Sequence, residues 1–453
     1  MKQKLRDVYN HFGPFAFFYK IAGTLLIGIF VICFFLYPAW ITLRVGLDTS
    51  FHQQGINSYT LGMFKDVSHR FSRWGSQYLN RGAGSSVNQD SVSETEWPMF
   101  GAAFYLLTAE EVQKQYGSDE SLKKVMDPAV EVAVRIVADP RTAAWVKERW
   151  GDDYLNRENV FYRMLLIQGL TAYEKVSHKT TYRTLLHSQV TSLGRELEKA
   201  PHHLLDDYPG ECYPSDVLWS VAGIRRADVI LGTDHSKLAE ELMSSLTTHS
   251  MTEEGVPAYM AEPKTGKSIN LARGCNNSGI LIFAPELNRD IAAQWFKNYQ
   301  KYFWQEKYGV KGFREFSTRI PDSVQDADSG PVVKGFGSVA SVFGIGACRT
   351  MGRLDLSGTL ARQIIPVSYP TFWGLMIPSS MGKLLVDSGC LGEVALVFSL
   401  TRPVPAKPIS TQSPGIPLVV WMMLGVYLIP AALLIWVEYR HWKKWLKSVN
   451  KGQ

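Results

Sequence analysis

The stretch IAGTLLIGIFVICFFLYPAWITL, Ile21 to Leu43, carries no charge and is bounded by Lys20 and Arg44. A helix rises about 1.5 Å per residue, so roughly twenty residues cross a hydrocarbon core. A second uncharged run, Ile416 to Val437, closes at Glu438. A helix in a soluble core is seldom apolar on every face over that length. Both runs therefore read as transmembrane helices. A cleavable signal peptide fits the first run poorly, because the run is too long. Tyr37-Pro38-Ala39-Trp40 also offers no small-x-small cleavage site.

The flanks give an orientation. Lys2, Lys4, Arg6 and Lys20 precede the first run, and Arg440, Lys443, Lys444, Lys447 and Lys451 follow the second. Loops rich in Lys and Arg stay in the cytoplasm. The expectation is a two-pass cell-membrane protein with both termini cytoplasmic. Its main domain would lie outside the cytoplasm, in the periplasm of a Gram-negative cell. Residues 1–20 carry +3 and residues 438–453 carry +4, which leaves about −1 of the total +6 for everything between. A nucleic-acid partner would need a basic patch on the folded domain itself, and that excess is absent. The bilayer is the partner that the charge pattern supports.

Between the runs, residues 45–95 are polar, with Gly82-Ala83-Gly84-Ser85-Ser86 near the end, and read as a tether. Residues 401–415 hold Pro403, Pro405, Pro408 and Pro414 and read as a stiff extended linker. The folded domain is then 96–400, between a cytoplasmic tail (1–20) and span (21–43) and a second span (416–437) and basic tail (438–453). Helical apolar spacing recurs along it, for example over 97–116, 120–138, 158–177, 180–199, 214–232, 235–249, 270–284 and 288–306. Short extended pieces are expected at 255–261 and 310–318. About a dozen helices arriving in pairs predict an all-α domain built as an (α/α)6 toroid, with an irregular all-α domain as the alternative.

Cys212, Cys275, Cys348 and Cys390 lie between the spans, Cys33 within the first. Outside the cytoplasm four cysteines permit three full pairings, and spacing does not choose among them.

The segment richest in chemistry is Asp206-Asp207-Tyr208-Pro209-Gly210-Glu211-Cys212-Tyr213-Pro214-Ser215-Asp216. Pro209-Gly210 breaks the chain and Pro214 opens a helix, so Glu211 and Cys212 fall in a loop and Asp216 in the first turn. The helix N-terminus is expected to favour ionised Asp216, while an apolar loop would raise Glu211. Two carboxylates in unlike surroundings suit general acid–base work. Asp326 and Asp328 form a second candidate pair ahead of a glycine-rich helix, and a solvated turn is the plain alternative. Arg273, Asn276 and Asn277, at the head of an apolar run, are candidate substrate-binding groups or members of a buried hydrogen-bond network. Tyr208 and Tyr213 add aromatic faces. His202-His203 has no third spaced ligand for a metal, and no phosphate loop, Gly-x-Ser-x-Gly elbow or zinc spacing occurs, so neither a cofactor nor a metal is expected.

Cys212-Tyr213-Pro214-Ser215-Asp216 resembles the linalool dehydratase/isomerase family, which carries a Cys-x-Pro-Asp-Asn stretch at a helix mouth in an α/α toroid. Asn159-Val160-Phe161-Tyr162 is similar to that family's Asn-x-x-Tyr, which would place Tyr162 against a pocket. The resemblance implies the toroid and a terpenoid substrate. The chain departs from the family where a second cysteine belongs (here Val221) and where a pocket histidine belongs (here Leu165).

Three functions follow. The first is an anchored enzyme using carboxylate acid–base chemistry on a glycan or glycolipid. The second is a hydro-lyase or isomerase using Cys212. The third is a non-catalytic scaffold held by its two spans.

Overall fold

The computed structural model describes residues 2–85, 92–320, 328–376 and 391–451. Its contacts divide the chain into two units. One joins Met1–Asp48, Arg362–Met376 and Gly415–Gln453; the other joins Thr49–Ala361 and Ile377–Pro414.

The larger unit is helical. Its main helices are α1 (Ser58–Asn80), α2 (Trp97–Tyr116), α3 (Glu120–Ala138), α4 (Val160–Ser177), α5 (Arg183–Lys199) and α6 (Pro214–Leu231). They continue as α7 (Ser236–His249), α8 (Gly274–Leu287), α9 (Arg289–Phe303), α10 (Ser338–Thr350), α11 (Leu354–Val367, whose end from Arg362 belongs to the other unit) and α12 (Leu391–Thr401). The even-numbered helices close a ring: α2 packs on α4, α4 on α6, α6 on α8, α8 on α10, α10 on α12, and α12 on α2. Odd-numbered helices lie outside it, with α3 against α2 and α4, α5 against α4 and α6, and α9 against α8. This is the (α/α)6 toroid that the paired helices predict.

Sequence explains which helix goes where. Outer α3 buries Leu122, Met126, Ala129, Val130, Ala133, Ile136 and Val137, a stripe at spacings of three and four, and leaves its other face wet. Inner α4 is buried without a break from Val160 to Glu174. A helix enclosed on all sides needs apolar residues all round, and one on the rim needs a single face.

The inner helices run parallel. Their first turns meet where Asn276 Nδ2 on α8 donates to Ser215 Oγ on α6 at 2.9 Å. Their middles meet where Phe104 stacks on Phe398 with centroids 4.6 Å apart. Their C-terminal halves meet where Arg226 on α6 pairs with Glu110 on α2. At mid-height the axis is filled. Phe104 of α2 also reaches Trp219 of α6 and Phe343 of α10, and Phe283 of α8 reaches Phe398 of α12. These rings come from helices that are not neighbours in the ring, so they occupy its centre.

The structure corrects three expectations. Residues 45–95 are no tether throughout, because Ser58–Asn80 is α1, an outer helix that buries Phe64, Val67, Phe71 and Tyr78 against its neighbours. Phe64 and Phe71 stack on either side of Tyr105, 5.6 and 4.9 Å away. The stripe is diluted by Ser, Gln, Arg and Lys on the exposed face, which hides it from a composition count. The proline-rich 401–415 segment is tied down: Gln54 Nε2 donates to Pro405 O at 2.9 Å and Leu354 N donates to Ser410 O at 2.9 Å. The domain is also not continuous over 96–400, because 362–376 belongs to the unit that contains the two long apolar helices. Of the extended pieces, Val310–Phe313 pairs antiparallel with Trp304–Lys307, while 255–261 carries only isolated bridges.

The smaller unit contains two helices long and apolar enough to cross a membrane, Phe17–Leu47 and Leu418–Lys447. They pack on each other: Lys20 Nζ meets Glu438 Oε1 at 2.7 Å, Thr24 Oγ1 donates to the same oxygen at 2.7 Å, and Trp442 Nε1 donates to Thr24 at 2.8 Å. At the other end Gly46 lies so close to Val420 that an added Cβ would stand 2.5 Å from Cγ1.

Candidate acidic site at the mouth of the ring

Because the inner helices are parallel, the loops leading into them gather at one end of the ring. Glu96 immediately precedes α2, Glu211 to Asp216 lead into α6, Arg273 precedes α8, and Asp328 lies before α10. The loop ahead of α6 is a tight turn. Gly210 takes φ 85°, where an L side chain is strained, and Tyr208 and Glu211 bridge across it with Glu211 N on Tyr208 O at 2.8 Å. That turn aims Tyr208 and Glu211 toward the rim, and Pro214 then starts the helix that holds Asp216 in its first turn.

Four carboxylates converge there, each accepting from a hydroxyl. Tyr208 Oη donates to Glu96 Oε1 at 2.5 Å, and Tyr213 Oη to Glu211 Oε2 at 2.9 Å. Tyr259 Oη donates to Asp328 Oδ2 at 2.7 Å, and Ser215 Oγ to Asp216 Oδ1 at 3.0 Å. Among the described residues none of the four makes an ion pair with a lysine, arginine or histidine. Arg149 and Arg273 are cations nearby, the Arg149 guanidinium over the Tyr208 ring, 4.7 Å from the centroid.

Like charges without counter-charges resist joint ionisation. Burial, and after it the charges of Asp328 and Glu211, push Glu96 up to about 7, although the Tyr208 hydroxyl and Arg149 pull it down. Burial, then Asp328 and Glu96, likewise push Asp216 up to about 7 against the Ser215 hydrogen bond. The helix N-terminus was expected to keep Asp216 ionised, and desolvation wins instead. Beneath them Asp207 is wholly buried, and burial followed by the Asp216 charge drives it well above the carboxylate range. It accepts Tyr213 N at 2.8 Å and so fixes the loop.

The other candidates divide into the site, its wall and its core. Asn276 acts on the site through Ser215, making the chain Asn276 to Ser215 to Asp216. Arg273 is wall: Nε pairs with buried Glu315 at 2.8 Å and its guanidinium lies over Tyr259, 4.5 Å from the centroid. Asn277 is core, donating to Pro257 O and Arg273 O at 3.0 Å each. Tyr162 is also core, buried and packed on Tyr154 and Trp145; its neighbour Phe161 faces Tyr208 instead. Along a helix adjacent residues diverge by about 100°, so a pocket position assigned by motif can fall one residue off. Cys212 is buried, and burial followed by Asp207 pushes its thiol well above its usual range, which disfavours the thiolate. Cys33, Cys212, Cys275 and Cys348 are all free thiols, and Cys390 and Asp326 lie outside the described residues.

Glu96 and Tyr259 are site residues that motif reasoning passed over, and Asp207, within the segment quoted from the sequence, is given no role there. Glu96-Trp97-Pro98 repeats the grammar of Tyr213-Pro214, a proline in the first turn of an inner helix with an acid beside it. Two cavities, about 480 Å³ beside His52 and Pro408 and about 300 Å³ beside His187 and Ile230, open elsewhere and include none of these side chains. No family model matches the chain, and no curated protein matches it.

Proposed function

We propose that this protein is a membrane-anchored enzyme whose toroid lies outside the cytoplasm and performs carboxylate acid–base chemistry on a glycan or glycolipid. The observation that carries the proposal is the meeting of Glu96, Glu211, Asp216 and Asp328 at one rim, with Glu96 and Asp216 titrating near neutrality. A general acid works best when its pKa lies near the operating pH.

The geometry separates two roles. Tyr208 occupies Oε1 of Glu96 as a donor, which leaves the proton of the neutral acid on Oε2, free to pass to a leaving oxygen. In the same way Ser215 occupies Oδ1 of Asp216, leaving a proton on Oδ2. Glu211 and Asp328, held by Tyr213 and Tyr259, are placed to accept a proton or to stabilise developing positive charge. The rings of Tyr213 and Tyr259, edge to face with centroids 5.1 Å apart, offer apolar faces to a sugar ring. The orientation rests on the basic flanks of both spans. The cysteine-based alternative loses its nucleophile with the buried Cys212 thiol.

The test is turnover of a panel of envelope glycans and glycolipids by the purified full-length protein. Glu96→Gln and Asp216→Asn should each lower turnover about 10²–10⁴-fold, and one of them should remove a limb of the pH profile near 7. Turnover within twofold of the parent in both variants sinks the acid–base assignment.

A further inference from the structure

We infer that residues 362–376 form a third membrane-embedded element, a re-entrant piece whose aromatic tip contacts the acyl chains of the bilayer. It rests on reading the two long apolar helices as membrane spans and is independent of the chemistry proposed for the toroid.

The depth of the contacts carries the argument. Phe372 stacks on Tyr37 of the first span with centroids 3.7 Å apart, and Trp373 lies 6.3 Å from Phe34. At a rise of about 1.5 Å per residue, Tyr37 lies about 10 Å and Phe34 about 15 Å below Arg44. The second span gives the same level independently. Tyr427 Oη donates to Pro366 O at 2.9 Å and its ring meets Tyr369 at 5.4 Å. Tyr427 is about 13 Å along from Leu418. A segment touching both spans at that depth lies beside hydrocarbon, not above it.

Its own bonding suits that medium, where an unpaired backbone group costs several kcal/mol. Pro370–Thr371 pairs antiparallel with Gly374–Leu375, Thr371 Oγ1 donates to Gly374 O at 2.7 Å, and Trp373 N donates to Thr371 Oγ1 at 3.1 Å. Met376 N donates to Tyr369 O at 3.1 Å. The first span adapts to receive it: its helix widens to a π turn over Ile32–Leu36, and Phe34 O within that turn accepts the Tyr369 hydroxyl. Freed carbonyls re-satisfied by a neighbouring element are how non-helical backbone is tolerated at membrane depth. At the entrance Arg362 Nε donates to Gly46 O at 3.0 Å. Phe372 and Trp373 nonetheless remain 53% and 65% exposed. Two large apolar rings left open at that level are covered by lipid.

The test places a genetically encoded fluorescent residue at position 373 of the full chain, reconstituted in phosphatidylcholine–phosphatidylglycerol vesicles. Reference positions are 421, exposed on the second span, and 308, on a toroid turn. The probes are lipids bearing a nitroxide on the acyl chain, and aqueous iodide. Nitroxide lipids should quench 373 and 421 several-fold more strongly than 308, and iodide the reverse. Iodide quenching at 373 equal to that at 308, with 421 still quenched by lipid, overturns the inference and leaves the spans. Shielding of 373 from both quenchers means protein covers the tip, which also overturns it. No lipid quenching at 421 removes the spans and the inference together. Placement at 372 repeats the measurement if the first variant fails to fold.

Discussion

The two ends of the ring solve the same electrostatic problem in opposite ways. At the C-terminal ends of the inner helices, Glu110 is buried among Arg226, Lys114 at 3.0 Å and Lys175 at 3.4 Å. Burial alone would raise it, but those three cations outweigh burial and hold it at about 2. Arg402 and Arg349 finish the same end by donating to carbonyls, Arg402 to Leu107 O and Phe398 O, Arg349 to Gly55 O. Cations there also match the negative end of the helix dipoles. At the N-terminal ends the carboxylates receive hydroxyls in place of cations, and burial raises Glu96 and Asp216 to about 7. One end is built to be satisfied. The other is left titratable at neutral pH, a state that ordinary stability does not require.

The contrast can be broken most sharply at the satisfied end. Glu110→Gln strands Arg226 in the interior, and breaking a buried pair from one side costs about 3–5 kcal/mol. The measurement is denaturant unfolding of the detergent-solubilised chain at pH 7, and a loss under about 1 kcal/mol would show that the network is not structural. Because Glu110 is depressed, its contribution is present above about 4.5 and lost as pH falls toward 2.

Next comes Tyr208→Phe at the mouth. The hydroxyl lowers Glu96, so removing it raises Glu96 further and should shift the neutral limb of the pH profile upward. The accompanying stability change should be modest, about 1–3 kcal/mol at most for a lost hydrogen bond to a carboxyl group. A limb that stays in place would detach Glu96 from the profile.

The pH dependence of stability is the most diagnostic. Glu96 and Asp216 are raised in the folded state, so what they contribute is fully present below about 4 and is lost as pH rises through about 7. Glu96→Gln should therefore melt at the same temperature as the parent at about pH 3.5 and at a higher one at about pH 8. A variant less stable than the parent at pH 8 would place Glu96 with the structural acids.

Much of this was legible in sequence, for physical reasons that differ by element. The inner helices announce themselves because enclosure demands apolar residues on every face, so 97–116 was bounded correctly and 214–232 ran one residue past the helix end at Leu231. Asp216 and Glu211 stood out because Pro209-Gly210 and Pro214 mark a turn and a helix start within six residues. The outer helix Ser58–Asn80 was hidden, since a rim helix needs only every third or fourth residue apolar. Glu96 was invisible because its partner Tyr208 is 112 residues away, and only closing the ring brings them together. The 362–376 segment gives no sign in composition, because its apolar residues read like those of the toroid core.

The five aromatic rings at mid-height have a consequence for traffic. A stoppered ring is a vessel with one door, so a chain cannot thread it as it would a bead. On the proposed reading, whatever enters at the acidic rim leaves by the way it came, presenting an end or a protruding branch and not a continuous strand. Each cycle would then include a full retreat, and release of what was bound would gate the arrival of the next molecule.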